Sequence, residues 1–289
     1  MTHYPFIISN ATWWYICMFF TFYHIAAATL YTALSLYFLR QLIKQQVPSG
    51  HLLLIIIGIA LFLQGIGLYK GMVLSDGINL AIHNMLSLVI FSVNTLVLVS
   101  SLRKPLHSLF ILLLPLSSIA LTFSIFLEHL HLTSDVNHKA YISLSIGISL
   151  HILLSVIAYS LLFAAVLQAL LLSWQNYRLK HKHIAGITKH LPPLQTMETL
   201  LFDLIWVGVI LLTVGLTFGF YYIDDVFAQH LAHKTILSVI AWAIFVTLLC
   251  GRTFRGWRGN HVIQWILGGF SALMLAYFGS KLVLEVILL

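Results

Sequence analysis

Apolar residues along this chain run in eight long blocks separated by short polar connections. Lipid leaves every backbone N–H and C=O to be satisfied within the spanning segment, and roughly 20 mostly apolar residues in a helix cross the hydrocarbon. The blocks are about Trp13–Leu39, Leu52–Tyr69, Ile78–Leu102, Leu106–Leu127, Ala140–Trp174, Leu200–Tyr222, Thr235–Leu249 and Val262–Leu288. The first and fifth exceed the need, which predicts tilt or projection from the membrane. The seventh is short and should borrow residues from its flanks. The pattern predicts an all-α polytopic membrane protein, a bundle of eight transmembrane helices.

Composition supports this. The chain is 60% hydrophobic and only 8% charged, too few charges to cover a soluble surface. The placement of the basic residues adds orientation. Eleven of the 15 Lys and Arg fall in the odd-numbered connections: Arg40 and Lys44; Arg103 and Lys104; Arg178, Lys180, Lys182 and Lys189; Arg252, Arg255 and Arg258. The even-numbered connections hold Lys70, Lys139 and Lys234, offset by Asp76, Glu128, Asp135, Asp224 and Asp225. By the positive-inside rule the odd connections are cytoplasmic, so both termini face outward. The net charge of +7 is then a topology signal with an attraction for anionic headgroups, and no nucleic-acid motif accompanies it.

Residues 1–289 read as a single integral membrane domain of two four-span halves, 1–139 and 140–289. No cleavable signal peptide is expected, because the first basic residue is Arg40. Cys17 and Cys250 should lie a membrane apart, which excludes a disulfide between them. Gly268, Ala272 and Ala276 in the last span suit close helix packing within the chain.

Fifteen histidines are many for a chain with 23 charged residues. Neutral imidazole ligates haem iron and other transition metals, and an ionisable residue inside a membrane points to function. His151 is the foremost candidate. It lies 11 residues into span five, roughly 16 Å from Ala140 at ~1.5 Å per residue, and Ile152–Leu172 can cross the hydrocarbon alone. Ser155 and Tyr159 follow at i+4 and i+8 and make a polar line on a greasy helix. His230 and His233 are three apart, after Asp224 and Asp225, but no HExxH or Cys/His zinc pattern is present. No Ser-His-Asp order, phosphate loop or paired buried carboxylates can be read, so no enzyme is expected. Gln64 and Asn94 are the only polar candidates near a midplane, and both are uncharged, which disfavours an ion transporter.

The second half resembles the cytochrome c assembly family of membrane haem-handling proteins, the group containing CcsA, CcmC and HemX, and within it the inner-membrane YpjD branch. The blocks that carry the resemblance are Leu150–Tyr159, Leu191–Glu198, Leu211–Gly219, Lys234–Trp242, Gly256–Gly259 and Ala276–Lys281. The first four spans match in layout alone. The resemblance implies a multi-pass protein of a bacterial inner membrane that serves cytochrome c biogenesis. Its cofactor would be haem b and its partners haem and other cytochrome c assembly proteins. His151 matches an external haem-ligating histidine of the family. The implied cofactor-binding set is His151, Tyr159 and Trp242, with His83 or His233 for the other axial bond. This chain departs from the haem-ligating members in three places. Tyr221–His230 replaces their tryptophan-rich segment, Val283–Leu289 carries no second external histidine, and Cys250 replaces a histidine late in span seven. A homo-oligomer that supplies the missing histidine from a second subunit fits this pattern. The other reading is a HemX-like membrane scaffold or regulator without cofactor, working through the basic loop Arg178–Lys189.

Overall fold

The computed structural model describes residues 10–44, 50–74, 77–102, 107–132, 141–142, 146–181, 191–222 and 232–279. Eight helices follow one another: α1 Asn10–Ile43, α2 Gly50–Met72, α3 Ile82–Ser101, α4 Phe110–Leu132, α5 Ile146–Lys180, α6 Leu194–Tyr222, α7 Ala232–Arg255 and α8 Asn260–Met274. Seven of them, α1 to α7, are long and apolar enough to cross a membrane. The last, α8, has 15 residues and continues into a π-helical turn, Leu275–Gly279. The rest of the predicted eighth span, with Lys281 and Glu285, lies outside the described residues, as do residues 182–190 of the basic loop. So do His230, Asp224 and Asp225.

Reading the chain as purely helical missed a small sheet. β1 Val73–Leu74, β2 Gly77–Asn79 and β3 Tyr141–Ile142 pair antiparallel in the order β1-β2-β3, with Val73 opposite Ile78 and Ile78 opposite Ile142. Strands of two or three residues carry no periodicity, so apolar Ile78 and Tyr141 were absorbed into the neighbouring blocks. The sheet shortens both spans. Helix α3 begins at Ile82 rather than Ile78, where the Asn79 side-chain oxygen accepts the Ala81 N–H at 2.9 Å. Helix α5 begins at Ile146 rather than Ala140, so His151 lies less than two turns from its start. Helix α7, by contrast, extends the short seventh block at both ends.

Two apolar cores share one wall. The first gathers side chains of α1 to α4 around Tyr31, Ile57, Leu113 and Leu121, with Ala164 and Leu167 of α5 on its edge. The second gathers α5 to α8 around Leu162, Ile205, Phe245 and Ile266. Helix α5 is therefore central, and its longest seam is against α6. Glycines on α6 make that seam close: a Cβ at Gly208 would press on Leu162, and one at Gly219 on the His151 ring. Gly269 packs against Phe245 in the same way, as intramolecular packing of the last span predicts.

Polar side chains cross-link the first core. Tyr31 donates its hydroxyl to Gln64 at 3.0 Å, Gln64 donates to the Ser87 carbonyl at 3.1 Å, and His24 Nε2 meets Ser87 Oγ at 2.7 Å. Asn94 donates to Ser117 Oγ at 2.7 Å. All of these side chains are fully buried. Gln64 and Asn94 thus act as interhelical fasteners, because an amide in an apolar bundle must find its partners internally.

The opposite end of α6 is clamped. Glu198 accepts from Arg252 at 2.9 Å and from both Arg258 Nε and Nη2 at 3.1 and 2.8 Å. Its hydrogen bonds to Glu198, then the Glu198 charge, hold the Arg258 guanidinium above its ordinary range. Arg252 also stacks over Phe202 at 4.6 Å and donates to the Trp257 carbonyl at 3.2 Å. Gly256 and Gly259, with φ of 64° and 73°, supply the left-handed backbone that brings Arg258 round.

Replacing Gln64 with Ala strands the Tyr31 hydroxyl in the first core and removes the tie to α3. The orphaned hydroxyl should cost roughly 1–3 kcal/mol, lowering the unfolding temperature of the detergent-solubilised protein. An unchanged melting curve would remove the fastener role.

Candidate functional site

A cavity of about 260 Å³ opens where the two halves meet, at the end of the bundle that carries the small sheet. Its walls come from five helices and the π turn: Met85 and Val89 on α3, His151 to Tyr159 on α5, Leu212 to Phe220 on α6, Lys234 to Ser238 on α7, and Leu273 to Tyr277. Leu80, just after β2, closes one side. The lining is mostly aliphatic, the usual make-up of a small-molecule site. The π turn widens the last helix where Ala276 and Tyr277 face the space, and such turns recur at functional sites.

His151 is held in one state by the α5–α6 seam. Its Nδ1 lies 2.7 Å from the carbonyl oxygen of Gly215. A carbonyl can only accept, so Nδ1 carries the proton, and in the neutral ring Nε2 is the nitrogen with the lone pair. The close approach depends on Gly219, one turn further along α6. A Cβ there would stand 2.9 Å from His151 Cε1, so any larger residue would push the ring off the helix backbone. A Cβ at Gly215 would meet only ordinary contact, 3.4 Å from Ser155 Oγ. Metal-ligating histidines are oriented by this kind of N–H to carbonyl bond, which fixes the tautomer and raises the basicity of the other nitrogen.

Two turns along α5, the Tyr159 hydroxyl is buried and has no hydrogen-bond partner among the described residues. Its ring packs edge-on against Phe270 at 6.1 Å. A buried hydroxyl left without a partner in an apolar cavity suits a bound group that supplies one. His151 and Tyr159, singled out in the sequence, therefore share one cavity.

The other three residues are not brought into that lining. His83 is 9% exposed near the start of α3, where its backbone carbonyl accepts from Ser124 at 2.8 Å. Met85 takes the cavity-facing place instead; two residues on a helix differ by roughly 200°, so neighbours at that spacing face nearly opposite ways. His233 is exposed at the start of α7, beside cavity-lining Lys234. Trp242 lies one turn beyond Ser238 and donates its indole N–H to Thr213 at 2.9 Å, which ties α7 to α6. Sequence reasoning gave no role to Gly215, Gly219, Met85, Lys234 or Tyr277. The four-residue spacing of Gly215 and Gly219 opposite a histidine was the one available signal, and it lay inside the block Leu211–Gly219.

The donors fit a haem. One imidazole oriented through Nδ1, apolar walls and a few polar groups are what an amphipathic metal complex requires. Among the described residues no group of three or more His, Cys, Asp or Glu gathers as a bare-ion site.

The family model described as cytochrome C assembly protein matches residues 78–288, which takes in every wall of the cavity and reaches back beyond the blocks that begin at Leu150. The chain is similar to the inner membrane protein YpjD of Escherichia coli strain K12, with 32% identity over 212 residues, 73% of this chain and 78% of the relative. It is also similar to a 28.8 kDa protein of Azospirillum brasilense, with 34% identity over 145 residues, 50% of this chain and 54% of the other. A shorter likeness, 30% over 87 residues, joins it to the cytochrome c biogenesis protein CcsA of Gloeobacter violaceus, over 29% of this chain and 26% of that one. No solved structure matches the chain. The cavity, its histidine and most of the helices that build them fall within one shared sequence pattern, and the chain belongs to the cytochrome c assembly protein family.

Proposed function

We propose that the protein is a haem-binding, haem-handling membrane protein accessory to cytochrome c biogenesis, with His151 as an axial ligand. The observation that carries this reading is the His151–Gly215 hydrogen bond, which leaves Nε2 as the free donor on a ring that lines an apolar cavity. His151 would hold the iron through Nε2, and the aliphatic side chains of α3, α5 and α6 would cover the macrocycle. Tyr159 would offer its hydroxyl to a polar group deeper in the cavity. When bound, haem b supplies an iron centre whose ligation can be read in its absorption spectrum. The residues around it bind, orient and exclude water; none is assigned a catalytic step. A cavity of about 260 Å³ is small for a ligand site, so part of the macrocycle would remain at the mouth, where a carrier needs it to be accessible.

The direction of the helices supports where this happens. Arg40, Arg178, Lys180, Arg252 and Arg255 end α1, α5 and α7, while His151 and Lys234 lie near the starts of α5 and α7. With the basic ends inside, the cavity opens at the outer face of the membrane. The name of the Escherichia coli relative supports a bacterial inner membrane as the site, and that of the CcsA relative supports cytochrome c biogenesis as the process.

Haem titrated into the purified protein should give a stoichiometric Soret band that shifts on reduction, and His151→Ala should lose it. Unchanged haem occupancy in His151→Ala would refute the assignment. Gly219→Ala should weaken haem binding by about 10–100-fold, the usual loss when the group orienting a ligand is disturbed, and Gly215→Ala should be nearly neutral. Equal effects of the two substitutions would break the link between Gly219 and the ring. For orientation, Tyr222→Cys and His181→Cys can be compared in a chain lacking Cys17 and Cys250. An impermeant thiol reagent on intact spheroplasts should label the first alone; the reverse pattern would invert the topology.

A further inference from the structure

A second cavity, of about 150 Å³, lies at the other end of the bundle, between the last turns of α5, the first turns of α6 and the start of α8. Leu172, Leu201 and Ile263 give it apolar walls, while Ser173, Asn176 and Glu198 give it polar ones. Residues three or four apart share a helix face, so Leu172, Ser173 and Asn176 form one amphipathic strip on α5. Among the described residues neither the Ser173 hydroxyl nor the Asn176 amide has a hydrogen-bond partner. The rim is cationic. Glu198 accepts from Arg252 at 2.9 Å and from Arg258 at 2.8 Å, and one acid cannot balance two bases. The Arg258 side chain stays 61% exposed, and Arg255 is exposed at the end of α7. Three arginines against one acid leave this end of the bundle positive.

An aromatic cluster marks the depth of this cavity in the membrane. Trp257 and Trp265 pack with 5.3 Å between ring centres, and the Trp265 indole N–H points to His261 Nε2 at 3.4 Å. Both indoles are half-buried, one on the turn that carries Arg258 and one on α8. Indoles so placed settle at the headgroup level of a bilayer, with the ring in the apolar zone and the N–H toward water. Exposed arginine, indole and a cavity with polar and apolar walls thus meet at one depth. We propose that the cavity seats the headgroup of one anionic phospholipid of the cytoplasmic leaflet. Arg258 meets its phosphodiester, Ser173 and Asn176 meet its polar head, and its acyl chains follow the apolar sides of α5 and α8. Basic pockets between spans on the cytoplasmic side recognise anionic headgroups through this combination. The leaflet rests on the orientation proposed above, and the site does not depend on haem. A soluble phosphate ester would meet the same arginines, but the apolar walls and the indole pair favour the lipid.

The test counts lipids bound to the full chain by native mass spectrometry from detergent. Its probes are phosphatidylglycerol, phosphatidylethanolamine and phosphatidylcholine with identical acyl chains. Wild type should retain one phosphatidylglycerol, about fivefold or more tighter than either zwitterionic lipid. Arg258→Gln should lower that preference by about fivefold. Arg258→Lys keeps the charge but loses the fork on Glu198, and it should keep most of the preference. Ser173→Phe fills the cavity without touching the arginines and should abolish the preference. Equal retention of the three lipids by wild type would overturn the proposal, as would tighter binding of phosphatidylethanolamine. A preference that survives Ser173→Phe would also overturn it, because the charge would then act on an open surface. If Arg258→Lys loses as much as Arg258→Gln, the effect belongs to the clamp on Glu198 and the headgroup contact is refuted. Displacement of the lipid by glycerol 3-phosphate at equal concentration would assign the cavity to a soluble phosphate ester and overturn the lipid. Haem titration of Ser173→Phe should match wild type, so the lipid and haem readings fail separately.

Discussion

One hydrogen bond, from His151 Nδ1 to the Gly215 carbonyl at 2.7 Å, sets which nitrogen of the ring is left for the cavity. Without it the imidazole could turn, exchange tautomers and present an N–H to the space. With it, the neutral ring presents a lone pair, the donor that the proposed haem binding requires. The bond in turn requires a helix backbone bare enough to be approached, which is what Gly219 provides. Two glycines one turn apart therefore matter less as flexible points than as missing side chains.

That arrangement explains the shape of the molecule around it. Helix α5 serves both apolar cores, and its seam with α6 sets the position of the histidine. The first core, fastened by Tyr31, Gln64, His24 and Ser87, contributes the α3 wall through Met85 and Val89. At the other end of α6, Glu198 gathers Arg252 and Arg258 and locks α6, α7 and the turn into α8 together. Two blocks of sequence resemblance, around Glu198 and around Gly256–Gly259, are distant in the chain and meet in this clamp. It holds the end of the bundle away from the cavity.

Hydropathy made seven long membrane-length helices legible, because a spanning helix announces itself in composition alone. It overran the starts of α3 and α5, since the short strands Gly77–Asn79 and Tyr141–Ile142 are too apolar and too brief to interrupt a block. His151 and Tyr159 could be picked out because residues eight apart on one helix share a face, a local property. Met85 and Lys234 could not be, because their membership depends on which helices pack together and at what rotation. His83 shows the reverse: polar residues near the right end of α3 invite selection, yet the helix turns Met85 to the cavity. Trp242 carries a polar N–H that Thr213 takes up, a partner on another helix that no local pattern reveals.

Removing the imidazole and then giving one back tests the central claim most directly. His151→Ala leaves room beside Gly219, and free imidazole added with haem can occupy that room and ligate the iron. The account predicts that the absorption spectrum of the variant, that of free haem when haem alone is added, becomes that of wild type as imidazole is titrated in. A spectrum identical to wild type before any imidazole is added would contradict it.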